Sequence, residues 1–247
     1  MDVLTPQFGI ALLQIIGVNI VLSGDNAVVI ALAARSLPPQ QQKRAILWGS
    51  GAAVVMRIVL TIVAVELLRL PWLKLVGAAL LIWIGIKLIV PEEEAGGGAK
   101  SNANLMAAIR TILIADLVMS LDNVVAVAAA AKGSTLLLIV GLAVSIPLVV
   151  FGSTLLLKVM DRWPIIITLG AALLGWVAGE MAVTDPVSQG WIDANAAWLH
   201  YGLPTAGAII VVAVGTLIAR RNERREDDRP IVDLAVLDQP SNDKRAK

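Results

Sequence analysis

LSGDNAV at residues 22–28 returns as SLDNVV at residues 120–125, which sets Ser23 against Ser120, Asp25 against Asp122 and Asn26 against Asn123 at an offset of 97. A second stretch behaves the same way: GAALLIW at 77–83 returns as GAALLGW at 170–176, at an offset of 93. The longer connection 35–44 in the first copy accounts for the difference between the offsets. Two matches in the same order mark an internal duplication. Each copy holds three apolar spans, and an odd number of crossings sends the second copy into the membrane upside down relative to the first. Inverted repeats of this kind build secondary transporters; a duplication with no transport role would leave the same trace.

The spans themselves follow from composition. Of 247 residues, 57% are hydrophobic and 16% charged, with a mean hydropathy of +0.80, too little charge to cover a water-soluble core. Residues 220–247 hold 8 of the 20 Lys and Arg and 7 of the 19 Asp and Glu, so the remainder is poorer still. Crossing a hydrocarbon layer about 30 Å thick takes about 20 apolar residues. Runs near 10–34, 45–68, 71–90, 106–131, 135–158, 165–184 and 203–219 meet that length, and they lack the alternation of barrel strands. The expected fold is an all-α integral membrane protein of seven transmembrane helices. Repeat one covers about 10–90, repeat two about 106–184, and a C-terminal helix 203–219 completes a transport domain over 1–219; the charged tail 220–247 is expected to be disordered.

Lys and Arg gather in alternate connections, at Arg35, Lys43 and Arg44, at Lys100 and Arg110, at Lys158 and Arg162, and at Arg220, Arg221, Arg224 and Arg225. The positive-inside rule then puts the N-terminus outside and the tail in the cytoplasm. No Lys or Arg precedes residue 35, so the first span lacks the basic flank of a cleaved signal peptide. A net charge of +1 with no basic, aromatic-interleaved stripe speaks against nucleic acid. The absence of cysteine excludes thiolate ligands, and a lone histidine, His200, excludes a multi-histidine metal cage. No span carries a Ser–His pair and no GxSxG is present. An enzyme here would have to work with carboxylates alone, and none is expected.

Asp25 and Asp122 fall near the middle of spans one and four, where a carboxylate costs about 2.5–3.5 kcal/mol on insertion scales. On an ideal helix Asn19, Ser23 and Asn26 share one face, as do Asp116, Ser120 and Asn123. The aspartates lie about 100° further round. Either each reaches to a neighbouring helix or the chain unwinds at Gly24, whose counterpart is Leu121. Every donor is an oxygen, which suits hard divalent ions such as Mg²⁺, Mn²⁺ or Ca²⁺. Asp25, Asp116 and Asp122 bring three negative charges, and Arg57 sits mid-span in helix two. If Arg57 neutralises one of them, two remain, matching one dication. The rival account is a set of hydrogen bonds and an Asp–Arg57 pair that merely hold the bundle together.

Lys87 and Glu180 occupy equivalent positions in the GAALL stretches with opposite charges and, like Glu66, lie near span ends. They either snorkel to the headgroups or take part in coupling. Trp72, Trp163, Trp191 and Trp198 suit the interfacial belt, whereas Trp48, Trp83 and Trp176 read as packing residues. Gly49-Ser50-Gly51 and Ala128 to Ala131 read as surfaces for close helix approach.

The LSGDN and MSLDN segments, the seven-span hydropathy and the paired GAALL-x-W stretches together resemble the TerC family of integral membrane proteins, in particular its small YjbE-type branch within the LysE-like exporters. The likeness spans about residues 8–219. It implies export of Mn²⁺ from the bacterial cytoplasm across the inner membrane, with Mn²⁺ as cargo, no prosthetic group, and Asp25, Asn26, Asp122 and Asn123 as the motif's acidic and amide positions. Asn19 stands where related sequences often carry an acid, as Asp116 does in the second copy. The expected activity is divalent-cation efflux by alternating access, with proton exchange as the coupling step, since a carboxylate left buried without its ion takes up a proton. The alternatives are export of a small cationic or amino-acid-like solute, and a membrane scaffold that transports nothing.

Overall fold

A computed structural model describes residues 10, 12–14, 16–17, 24–67, 70–90, 98–130 and 135–227. Among the described residues there is no strand. The helices are α1 Gly24–Ala34, α2 Pro39–Leu67, α3 Leu73–Ile89, α4 Gly98–Ala130, α5 Thr135–Arg162, α6 Ile165–Val183, the short α7 Gln189–Asn195 and α8 Leu199–Asp227. Among the described residues, five stretches are long and apolar enough to cross a membrane: Pro39–Val63, Asn104–Leu121, Ile139–Arg162, Ile165–Val183 and Leu199–Asn222. The chain is a multi-pass, all-helical integral membrane protein. The first expected span lies partly outside the described residues and leaves the shorter apolar helix α1. The third is α3, whose 17 residues rise about 25 Å, short of an average hydrocarbon layer. Helices also outrun the hydropathic spans, α2 starting at Pro39 and α8 running on to Asp227, because hydropathy marks only the part of a helix that sits in oil.

Helices α1 and α4 form the centre. One cluster joins Ile30 and Leu32 of α1 to Ile46 of α2, Ile112 of α4 and Met160 of α5. A second joins Val29 of α1 to Leu81 and Ile84 of α3, Val118 of α4 and Leu174 and Met181 of α6. From Asn26 to Ala34 only Val28 of α1 escapes full burial, and a helix enclosed on all sides has no polar face to display. Ala27, Ala31, Ala33 and Ala34 keep it thin enough for α2, α4, α5 and α6 to pack around it.

On the flank, α8 lies against α6 and α3. A Cβ added to Gly175 would stand 2.3 Å from the Gly207 carbonyl oxygen, one on Gly179 would stand 2.3 Å from Cα of Pro204, and one on Gly207 would stand 2.1 Å from the Gly175 carbonyl oxygen. Backbone meets backbone there, through the small-xxx-small pattern GWVAG at 175–179. The residues expected to allow close approach act less simply: Gly49 meets Ile112, while Gly51 faces open space. Trp48 and Trp83, expected to pack inside, point outward at 68% and 57% exposure. In a bilayer the outside is as apolar as the core, so a mid-span tryptophan satisfies either side.

Short α3 has both ends capped from elsewhere in the fold. The fully buried Asp185, after α6, accepts hydrogen bonds from the backbone N–H groups of Trp72, Lys74 and Leu75 at 3.2, 3.1 and 3.3 Å, and from that of Val187 at 2.9 Å. It thereby holds Trp72 at a φ of 71°, a conformation unfavourable for a bulky side chain. At the other end Arg35 donates to the carbonyls of Leu88 and Ile89 at 2.9 and 3.4 Å. An acid at the N-terminus and a base at the C-terminus complement the helix dipole. Asp185→Ala strips a cap and strands buried N–H groups, and is expected to destabilise the bundle by about 2–4 kcal/mol. Thermal unfolding in detergent checks this, with Asp185→Asn expected to lose less.

Candidate functional site

A cavity of about 20 Å³ lies between α1, α2, α4 and α5. Helix α1 lines it with Asn26 and Ile30, one turn apart; α2 contributes Ser50, Ala53, Val54 and Arg57; α5 contributes Ser145, Ile146 and Val149; and α4 contributes Asp116. Each set falls on one helical face by its i, i+3 and i+4 spacing. The volume is room for about one water-sized guest.

The charged wall is an ion pair between α2 and α4. Arg57 is 4% exposed, and its guanidinium donates to Oδ1 of Asp116 at 2.6 Å and, through Nε, to Oγ of Ser120 at 3.0 Å. Ser120 in turn donates to Oδ2 of Asp116 at 3.3 Å. Asp116 and Ser120 lie four residues apart, so α4 presents them side by side. Thr61 donates to the Arg57 carbonyl at 2.7 Å, one turn along α2. A buried pair is tolerated only when its remaining hydrogen-bonding capacity is also met, and Ser120 contributes to that here.

The opposite wall is unsatisfied. Asn26 is 2% exposed, yet neither its Oδ1 nor its Nδ2 has a partner, and Oγ of Ser50 is likewise unpartnered. Each such group costs about 1–3 kcal/mol if nothing meets it. Ser145 donates to the Leu142 carbonyl at 2.6 Å, which leaves its oxygen able to accept. Asp25 stands half-buried in the first turn of α1, its Oδ1 accepting the Asn26 N–H at 2.8 Å. Asp25 directly precedes the cavity-lining Asn26 on the same helix. Carboxylate, carboxamide and hydroxyl oxygens thus converge on an atom-sized space.

The family model for the integral membrane protein TerC family matches residues 4–224. The chain belongs to the TerC family. It is similar to the uncharacterized membrane protein YjbE of Bacillus subtilis (strain 168), 46% identical over 176 residues that cover 71% of this chain and 80% of YjbE. YceF of the same organism, also an uncharacterized membrane protein, is 27% identical over 83% of this chain and 79% of its own length. YkoY, of like description and source, is 23% identical over 79% of this chain and 66% of its own length. No solved structure significantly matches the chain.

In this TerC chain the residues singled out from sequence divide between the cavity and elsewhere. Asn26, Arg57 and Asp116 line it, with Ser120 bonded to the pair and Asp25 close by. Asp116, counted among the metal ligands, is engaged by Arg57. Asn123 is half-buried further along α4 and is itself engaged in an interaction. Helix α4 runs unbroken through Ser120, Leu121, Asp122 and Asn123, so the second motif does not unwind; in the first motif the residues before Gly24 lie outside those described. Asn19, Ser23 and the side chains of Asp122 and Glu66 lie outside the described residues. Lys87 and Glu180 are not brought to the cavity: Lys87 is exposed in the last turn of α3, and the exposed Glu180 accepts the Trp176 indole N–H at 2.8 Å. Among the described residues no three His, Cys, Asp or Glu side chains gather into a metal cage. Sequence reasoning missed Ser50 and Ser145 as cavity residues. The available signal for Ser50 was its place two turns before Arg57 on the same face of α2.

Proposed function

We propose that the chain exports a divalent metal cation, Mn²⁺, from the bacterial cytoplasm across the inner membrane by alternating access, and acts as a transporter and not as an enzyme. The observation that carries the reading is the Asn26 amide, buried and without a partner, lining a cavity beside a carboxylate–guanidinium pair inside an apolar bundle. A polar site at membrane depth is costly to build and marks an ion or proton path by default. Oxygen donors select a hard dication.

The helix pairing supports inverted repeats as the machinery. Exchanging α1 with α4, α2 with α5 and α3 with α6 turns the packed pair α1–α5 into α4–α2, and α1–α6 into α4–α3; α1–α4, α2–α5 and α3–α6 map onto themselves, and all of these are packed pairs, whereas the lesser contacts α1–α2 and α5–α6 are not matched to the same extent by α4–α5 and α2–α3. The GAALL glycine of each copy meets the SxDN helix of the other, Gly77 against Val118 and Gly170 against Val28 and Leu32. The cavity then sits where the first two helices of both copies meet, with α8 as the seventh span. In this reading α1, extended by the residues before it, and α3 are spans one and three, the N-terminus is outside, the tail is cytoplasmic, and protons return as the cation leaves.

Asp25→Asn or Asp122→Asn is expected to remove about 2 kcal/mol of cation binding, about thirtyfold in affinity, and with it the protection of cells from excess Mn²⁺, while the amount of protein in the membrane stays the same. Intracellular Mn, Mg, Ca, Fe and Zn measured with and without the protein give the test. Variants present at normal level that still hold internal Mn²⁺ low would refute the assignment.

A further inference from the structure

We infer that the Arg57 guanidinium is the resident cation of this site, and that the transported dication and Arg57 engage Asp116 in turn. This rests on the export reading above and adds a residue that sets when the ion binds. Among the described residues the cavity has one cationic lining group, Arg57, and one anionic lining group, Asp116, and they already hold each other at 2.6 Å. An ion entering beside Asn26 and Ser50 meets a carboxylate whose charge is spent and a guanidinium that repels it. Arginine does not escape by deprotonation, because its charge persists at any physiological pH. The guanidinium must therefore move off Asp116 before that oxygen can join the unpartnered Asn26 Oδ1 and Ser50 Oγ around a metal.

Charge balance permits the exchange. In the sequence, Asp25, Asp116 and Asp122 of the two repeated motifs bring three negative charges, and one dication together with Arg57 brings three positive ones, so the motifs and Arg57 balance a single dication. Asp25, which directly precedes the cavity-lining Asn26 on α1, is the acid left to steady the displaced guanidinium. Return of Arg57 to Asp116 then expels the ion, and the resting state reseals. Ser120 follows either partner without loss, since its hydroxyl both accepts from Arg57 and donates to Asp116.

The test is Mn²⁺ binding to the full chain in lipid nanodiscs, beside Mn²⁺ efflux from proteoliposomes. Arg57→Gln removes the competitor and is expected to tighten Mn²⁺ binding about tenfold while slowing efflux at least tenfold, because nothing expels the ion; Asp116→Asn is expected to weaken binding about tenfold. Opposite signs are the signature, since a purely structural pair would weaken binding in both. Where Arg57→Gln fails to fold, Arg57→Lys decides: an ammonium lacks the forked grip of a guanidinium, so binding should tighten two- to fivefold. A folded Arg57→Gln or Arg57→Lys that binds Mn²⁺ no tighter than the unaltered chain overturns the exchange, and leaves the export reading standing if binding still depends on Asp25. An unaltered chain that binds no Mn²⁺ overturns both.

Discussion

Gly207→Val is expected to separate α8 from α6 and to leave a bundle that no longer unfolds as one unit. The new side chain would start 2.1 Å from the Gly175 carbonyl oxygen, with the Gly179 nitrogen 3.5 Å away. These are backbone atoms of a helix, which cannot rotate aside as a leucine methyl can. Relief requires α8 to retreat, which also lifts Pro204 from Gly179 and Gly215 from Ile89. Overpacking of a core costs about 1–3 kcal/mol where side chains can yield, and more is expected here. In a bilayer the hydrophobic effect does not press helices back together, so the close fit is itself the attraction and its loss is not offset. A drop of the thermal midpoint in detergent, together with protease sensitivity of the connection before α8, measures the effect. Gly51→Ala, into open space, is the matched control and should leave both unchanged; if Gly207→Val behaves like it, the backbone contact is not what seats α8.

How much of this was legible beforehand depended on the range over which each signal acts. The repeated aspartates and amides announced themselves because a carboxylate amid apolar residues is anomalous at any single position, and the copies of Asp25-Asn26 and Asp122-Asn123 lie at a fixed offset. Family membership followed from the same residues. The role of Asp185 was hidden, because the N–H groups it caps belong to residues 110 to 113 positions away. Ser50 and Ser145 were hidden too, because a serine in an apolar run bonds to its own helix as readily as it lines a cavity. The orientation of Trp48 and Trp83 could not be read for a different reason. The period that separates inside from outside in water disappears when lipid covers the outside, and α2 indeed turns Val55, Val59 and Ile62 outward. What the sequence offered at Arg57 was a choice among several acids; packing made it Asp116, through the α2–α4 contact.

That choice leads to the second large effect. Asp116→Leu leaves the Arg57 guanidinium charged, nearly inaccessible to water and deprived of its 2.6 Å partner, which is expected to destabilise the fold by about 3–5 kcal/mol. The double variant Arg57→Met with Asp116→Leu removes both charges and refills the space with apolar atoms. It is expected to recover most of that loss, since replacing a buried pair as a unit is often neutral or stabilising by about 1–4 kcal/mol. Unfolding titrations of the two variants beside the unaltered chain measure the difference, and the sign of the double-variant result decides what the pair is for. A double variant that is stable yet fails to export Mn²⁺ places the pair's value in handling charge, because an apolar substitute holds α2 and α4 together equally well. A double variant as unstable as Asp116→Leu alone means the guanidinium, Ser120 and Asp116 are a structural clasp. In that case the cavity beside Asn26 would have to hold its ion without any oxygen from Asp116.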